Sequence, residues 1–256
     1  MQKFNYHTHT YRCGHAYGDD DQYVRAAIKA GYTKLGFSDH VPYKGFHNPT
    51  DRMDFNQLSE YIQSMKDLRE KYKDSISIRI GLEIEYFEDK EPYYEYLRQI
   101  TDYIILGQHS KYEDSMDYFY YCDDEDVLTY ATSIKKALDG KFADMLAHPD
   151  YFMLGRREWS EACSEASRII CNASILNDIP IEINLNGIRH GKFCIDGEMQ
   201  YAYPFRKFWE IVSDYGCKVV FGVDAHLPLT LLDKTRYSTA LEILEGLSLN
   251  FDHPQF

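Results

Sequence analysis

Apolar and polar positions alternate between two periods along the 256-residue chain. Some short runs are apolar at almost every residue, as in Lys218-Val219-Val220-Phe221-Gly222-Val223, which suits strands buried on both faces. Such runs predict strands at Phe4–His9, Lys34–Asp39, Ser77–Glu85, Tyr103–Gly107, Ala143–Ala147, Ile181–Leu185 and Cys217–Val223. Amphipathic stretches between them predict helices at Asp19–Ala30, Phe55–Lys73, Pro92–Thr101, Asp124–Leu138, Glu161–Asn177, Tyr203–Tyr215 and Lys234–Leu247. The first opens on Asp19-Asp20-Asp21, which favours a positive helix N-terminus, and stops at Gly31. The second carries Leu58, Ile62, Met65 and Leu68 three or four residues apart. Repeated strand-then-helix units imply a parallel sheet with helices outside it. The expected architecture is α/β: a closed or nearly closed barrel of seven units, one short of the usual eight, forming a single domain over residues 1–256.

Composition narrows the functional classes. Hydrophobic residues at 44% and charged residues at 27% describe a globular chain rather than a disordered one. No run of ~18 apolar residues predicts a membrane span. The N-terminus lacks the apolar stretch of a signal peptide, so a cytoplasmic protein is expected. Cys13, Cys122, Cys163, Cys171, Cys194 and Cys217 show no C-x-x-C spacing and are expected to be reduced and mostly buried. A formal net charge of −13 argues against a nucleic-acid scaffold, which needs a basic footprint.

Candidate chemistry gathers at the C-terminal ends of the predicted strands, where barrels of this kind place their sites. The first strand ends in His7-Thr8-His9, with His15 shortly after, and the second in Ser38-Asp39-His40. The third carries Glu83 and Glu85. The fourth, fifth and seventh lead to His109, to His148-Pro149-Asp150 and to Asp224-Ala225-His226. Residues i and i+2 of a strand face the same side, so His7 and His9 can converge on one ion. Imidazoles completed by carboxylates suit zinc, manganese or iron. Burying so many unpaired polar side chains for packing alone would be costly, so bound metal is the better explanation. No G-x-S-x-G elbow, Walker-type loop or cysteine phosphatase loop offers a different nucleophile.

These segments, in this order, resemble the PHP (polymerase and histidinol phosphatase) family. The match runs from His7 to His226 through Gly81-Leu82-Glu83, Gly107-Gln108-His109 and Ala147-His148-Pro149-Asp150. The resemblance implies a distorted (β/α)7 TIM-like barrel and three divalent metal ions. It implies His7, His9, Glu83 and Asp224 around the first, Glu83, His109 and His148 around the second, and His15, His40 and His226 around the third. Length and the segment Pro180–Arg189 resemble the stand-alone histidinol-phosphate phosphatases of the family. The expected reaction is therefore hydrolysis of L-histidinol phosphate by a metal-bridging hydroxide, with Glu83, Asp39 and His226 as candidate catalytic groups. Asp39 is more simply a support for a ligating histidine. Other phosphate esters (nucleotides, phosphosugars, phosphotyrosine) and a non-catalytic metal-binding module are the alternatives.

A small phosphorylated substrate should meet basic side chains. Lys111, Arg156, Arg157 and Arg189, with His190, are the candidates for contacting it, and Arg12 also follows a strand end. Tyr43, Tyr86 and Tyr151 are candidate pocket residues, while His47 and His253 lie outside the motifs. The native metal and the oligomeric state are left open by the sequence.

Overall fold

The structure, a computed structural model, describes residues 2–256. Among these residues the strands are β1 (Phe4–Asn5), β2 (Lys34–His40), β3 (Ser77–Ile84), β4 (Tyr103–Leu106), β5 (Met145–Leu146), β6 (Ile181–Asn184), β7 (Lys192–Ile195), β8 (Glu198–Tyr201), β9 (Lys218–Gly222) and β10 (Asn250–Phe251). The principal helices are α1 (Asp20–Ala30), α2 (Leu58–Tyr72), α3 (Glu91–Ile100), α4 (Asp124–Asp139), α5 (Glu161–Asn177), α6 (Arg206–Tyr215) and α7 (Thr235–Ile243). The main sheet is parallel throughout, in the order β1-β2-β3-β4-β5-β6-β9-β10. It closes where Thr8 bridges Ala225, with the His9 N–H donating to the Ala225 carbonyl at 3.0 Å and the Ala225 N–H to the His7 carbonyl at 3.2 Å. The result is a distorted TIM-like barrel of β1–β6 and β9, with β10 added beside β9 at its N-terminal end.

Local signals account for the elements. Asp19 caps α1 through a capping box with Gln22, and Gly31 ends it at φ 84°. Asp123 and Asp126 form a second capping box on α4. The fold departs from expectation after β6, where the antiparallel hairpin β7–β8 interrupts the βα alternation. Its two-residue turn is Asp196-Gly197, both at positive φ (54° and 81°), the conformation for which Asp-Gly is a strong signal. Helix α6 starts at Arg206 rather than Tyr203, and α7 stops at Ile243, followed by Gly246 at φ 83°.

β1 and β5 are shorter than predicted for a shared reason. Tyr6 belongs to the inner apolar cluster with Tyr103, Ile105, Met145, Ala147 and Val220, yet the next residue, His7, also turns inward to Glu83. Ala147 and His148 repeat this pattern. Two consecutive inward side chains require a break in the pleat. At His148 the break is a left-handed residue, φ 27°.

Tyr103 organises the lower interior. Its hydroxyl shares its one hydrogen between the carbonyls of Tyr6 (2.7 Å) and Phe37 (3.0 Å), and its ring stacks on Phe256 at 5.2 Å. Glycines at 36 and 81 make room for it: a Cβ at Gly81 would stand 2.5 Å from the ring. No described helix is long and apolar enough to cross a membrane. Gly81→Ala should destabilise the fold by about 1–3 kcal/mol or more, because the buried, hydrogen-bonded ring cannot move aside. Urea denaturation checks this, and an unchanged midpoint would refute the packing role.

Candidate metal centre

The strand ends deliver their polar residues to one point around Glu83. Its carboxylate lies 2.9 Å from His148 Nε2, 3.2 Å from His40 Nδ1, 3.4 Å from both His7 Nε2 and His9 Nε2, and 3.8 Å from His109 Nε2. Asp224 Oδ1 lies 3.2 Å from His9 Nε2 and from His226 Nδ1, and 3.6 Å from His7 Nε2. His15 Nε2 faces His226 Nε2 at 2.9 Å. All nine predicted ligands thus lie around one centre: eight fall into overlapping groups (His7, His9 and Asp224; His7, Glu83 and His148; His9, His40 and Glu83; His15, His40 and His226), and His109 joins them through Glu83 at 3.8 Å.

Two observations fit this set to metal ions. The facing nitrogens of His7 and His9 (3.1 Å) and of His15 and His226 (2.9 Å) are close enough for each pair to share one cation at ~2.0–2.1 Å. Among the described residues, buried Glu83 Oε2, Asp224 Oδ1 and His148 Nδ1 have no hydrogen-bond partner. Orphaned buried polar atoms are rare unless an ion or water completes them.

Close backbone approach makes the geometry possible. A Cβ on Gly107 would lie 1.8 Å from Glu83 Oε1, and one on Gly222 would lie 1.6 Å from Glu182 Oε1. Asp224, like His148, occupies the left-handed region (φ 49°), a local strain characteristic of functional positions.

Three carboxylates stand behind the histidine rings. Glu182 accepts from His7 Nδ1 at 2.9 Å, from the His148 backbone N–H at 3.1 Å and from Asn184 Nδ2 at 2.8 Å. Asp39 lies 3.5 Å from His9 Nδ1 and accepts from the Thr10 hydroxyl. Glu85 lies 3.4 Å from His109 Nδ1. Carboxylates in this position fix ring orientation and raise ligand basicity. Glu182 escaped the sequence reading. Its available signal is a lone acid in the apolar run Pro180-Ile181-Glu182-Ile183, which must find a partner once buried.

The field divides the cluster, favouring positive charge at His7, His9 and His109 and opposing it at His15, His40 and His226. Burial opposes protonation of His7, but Glu182, Asp224 and Glu83 outweigh it and raise its pKa. For His9, burial is likewise overcome, by Asp224 and Asp39, and the pKa rises to about 9. For His109, burial is overcome by Glu85 and Glu83, giving about 10. Burial would raise Glu83 and Asp224, yet the surrounding histidines hold both well below the carboxylate range. Burial and neighbouring imidazoles push His226 down to about 4, despite Asp224, and His40 and His15 also fall. Protons and metal ions compete for such a site, since ligation needs neutral imidazole and ionised carboxylate.

Above the cluster opens a cavity of about 270 Å³, with Asp51, Asp117, Tyr120, Arg189 and His190 among its walls. The basic candidates separate here. Arg189 and His190 line this cavity, as does Tyr151. Lys111 lines a different cavity, of about 730 Å³, and sits 3.8 Å from Asp126. Arg156 turns inward, donating to Asp124 (2.7 Å), to the Cys122 carbonyl (3.0 Å) and to Ser160 (3.2 Å), so it ties together the starts of α4 and α5. Arg157 donates to the Leu154 carbonyl at 2.9 Å and covers the Phe193 ring, away from the histidines. Arg12 is buried in bidentate pairs with Asp20 and Glu60. The positive ends of these side chains follow backbone carbonyls and acids nearer than the cavity, which loop position alone does not reveal. Tyr43 and Tyr86 also lie outside the cavity lining, and His47 pairs with Asp54 at the surface.

Residues 5–186 match the profile of the PHP domain. Histidinol-phosphatase from Bacillus subtilis is 35% identical over 144 residues, 51% of this chain and 51% of that protein. A Deinococcus radiodurans protein named "Probable histidinol-phosphatase" is 33% identical over 105 residues, 40% of each chain. The matched segments thus span about two fifths to one half of the length of these relatives. A crystal structure of histidinol phosphate phosphatase from Lactococcus lactis, complexed with zinc, L-histidinol and phosphate, superimposes with a TM-score of 0.69. That similarity holds at 19% identity and covers 97% of this chain and 95% of the other.

Treatment with a chelator should lower the melting temperature, and adding back a divalent metal should restore it. One ion present at a hundred times its Kd contributes about 2.7 kcal/mol. A melting curve indifferent to chelation and to added metal would contradict the assignment of this cluster to ions.

Proposed function

The chain belongs to the PHP domain family, and on that premise we propose that it is a metal-dependent phosphate monoester hydrolase that cleaves L-histidinol phosphate to L-histidinol and phosphate. The observation that carries the reading is the convergence of nine ligand side chains, with unpartnered buried oxygens and nitrogens, on the floor of a small cavity whose wall holds Arg189. His7, His9, Glu83 and Asp224 would hold one divalent ion, Glu83, His109 and His148 a second, and His15, His40 and His226 a third. The zinc of the Lactococcus protein supports zinc as one such metal. Bound there, the ions supply Lewis acidity, a lowered pKa for water and neutralisation of phosphoryl charge.

The protein's own groups divide the remaining work. The exposed Arg189 guanidinium binds phosphoryl oxygens, for which its planar fork is suited. His190 is lowered to about 4 by burial and by Arg189, so it faces the substrate as a neutral ring able to donate or accept one hydrogen bond. Asp51 and Asp117 place carboxylates on the same wall, which complements the ammonium group of an amino-alcohol ester. Asp39 orients His9 from behind rather than meeting substrate, since it does not line the cavity. Glu83 holds its ionised form among five histidines and sets their positions.

Phosphate release from L-histidinol phosphate, nucleoside monophosphates and aryl phosphates tests the substrate, with elemental analysis of the same sample. Hydrolysis is expected to favour L-histidinol phosphate, and activity confined to nucleotides would overturn this reading. Glu83→Gln should nearly abolish turnover. Arg189→Ala should reduce kcat/KM by about 10–100-fold, the worth of a charge-assisted contact of ~1.5–3 kcal/mol. Wild-type kinetics in either variant would remove that residue from the site.

A further inference from the structure

Arg52 lies in the loop between β2 and α2, where neither the motifs nor the ligand set draws attention to it. Its guanidinium is buried and all five N–H groups are used. Nη1 donates to Glu85 Oε2 at 2.8 Å and to the Val41 carbonyl at 3.3 Å. Nη2 donates to Glu85 Oε1 at 3.2 Å and to Asp51 Oδ2 at 2.6 Å, and Nε donates to the same Asp51 oxygen at 3.0 Å. The cation also lies over the Tyr43 ring at 5.2 Å. Each partner leads to the site. Glu85 is the carboxylate behind His109 Nδ1, and Asp51 is part of the cavity wall.

We propose that Arg52 is a positioning residue that sets the His109 ring, through Glu85, and the Asp51 wall with one rigid guanidinium. A planar fork can hold two carboxylates in fixed directions, whereas a lysine ammonium offers a point charge. Without the clamp, Glu85 loses its fixed place behind the ring and Asp51 is free to swing with its loop. Arg12 differs in reaching its histidine only through Thr10 and Asp39, one link further away.

The inference rests on the proposed role of His109 as a metal ligand, so the test carries His109→Ala beside Arg52→Lys, Glu85→Gln and Asp51→Asn. Ions bound per chain and zinc affinity are measured by chelator competition, with kcat, KM and melting temperature taken on the same preparations. Arg52→Lys and Glu85→Gln should each weaken one ion by about 10–100-fold, the usual effect of losing a partner behind a ligand. Arg52→Lys should also raise KM, as should Asp51→Asn, which should leave zinc affinity unchanged. If Arg52→Lys and Glu85→Gln only lower the melting temperature, with wild-type zinc affinity and KM, Arg52 is a structural cross-link and the inference fails. If His109→Ala loses no ion, the ligand assignment fails instead. Should Arg52→Lys not fold, Glu85→Gln decides the His109 branch alone, because glutamine keeps the size and one acceptor of glutamate.

Discussion

Glu83 is a buried carboxylate surrounded by imidazoles, and burying it is costly unless positive charge meets it. Much of the upper barrel serves this constraint. Gly107 lets the β4 backbone pass close to the carboxylate, and Gly222 does the same for Glu182. His148 and Asp224 accept left-handed backbone so that their side chains can reach the same centre. Glu182, Asp39 and Glu85 form a second ring of charge behind the histidines. The cluster also bears on the paradox of an acidic protein assigned an anionic substrate. Three divalent ions would offset about half of the formal −13, at the cavity where the proposed phosphate ester would enter.

The lower half of the barrel answers a different demand. Tyr103, Tyr6, Ile105 and Met145 fill it with apolar volume, and the Tyr103 hydroxyl joins two strands across the interior. The boundary between apolar floor and charged mouth falls just past the ends of β1 and β5, between Tyr6 and His7 and between Ala147 and His148. This is why β1 and β5 end early: the change of environment coincides with the break in the pleat.

How much of this was legible in the sequence follows from where periodicity operates. His7 and His9, or Asp224 and His226, sit at strand spacing beside apolar runs, so both their elements and their convergence could be read. The PHP resemblance then supplied the grouping around individual ions. Glu182 was passed over because it interrupts an apolar run without a histidine to mark it, and Arg52 because its loop has no period. Arg156 and Lys111 were candidates for phosphate because a basic residue after a strand can point anywhere. Their nearest acids, Asp124 and Asp126, lie at the start of α4, and local pairing decided their direction. The β7–β8 hairpin carried its own signal, Asp196-Gly197, obscured by the expectation of a helix in every unit.

The seam between the first and last strands of the barrel has a mechanical meaning. Below Thr8 and Ala225 it is stitched by side-chain amides: Gln2 exchanges hydrogen bonds with the Phe221 backbone, and Asn5 accepts from the Val223 N–H. Side-chain stitches of this kind make the seam the natural line along which the cylinder would open. His7 and His9 lie on one lip and Asp224 on the other. A cation held by all three would be a rivet through the joint, tying the barrel's first strand to β9 much as a covalent cross-link would.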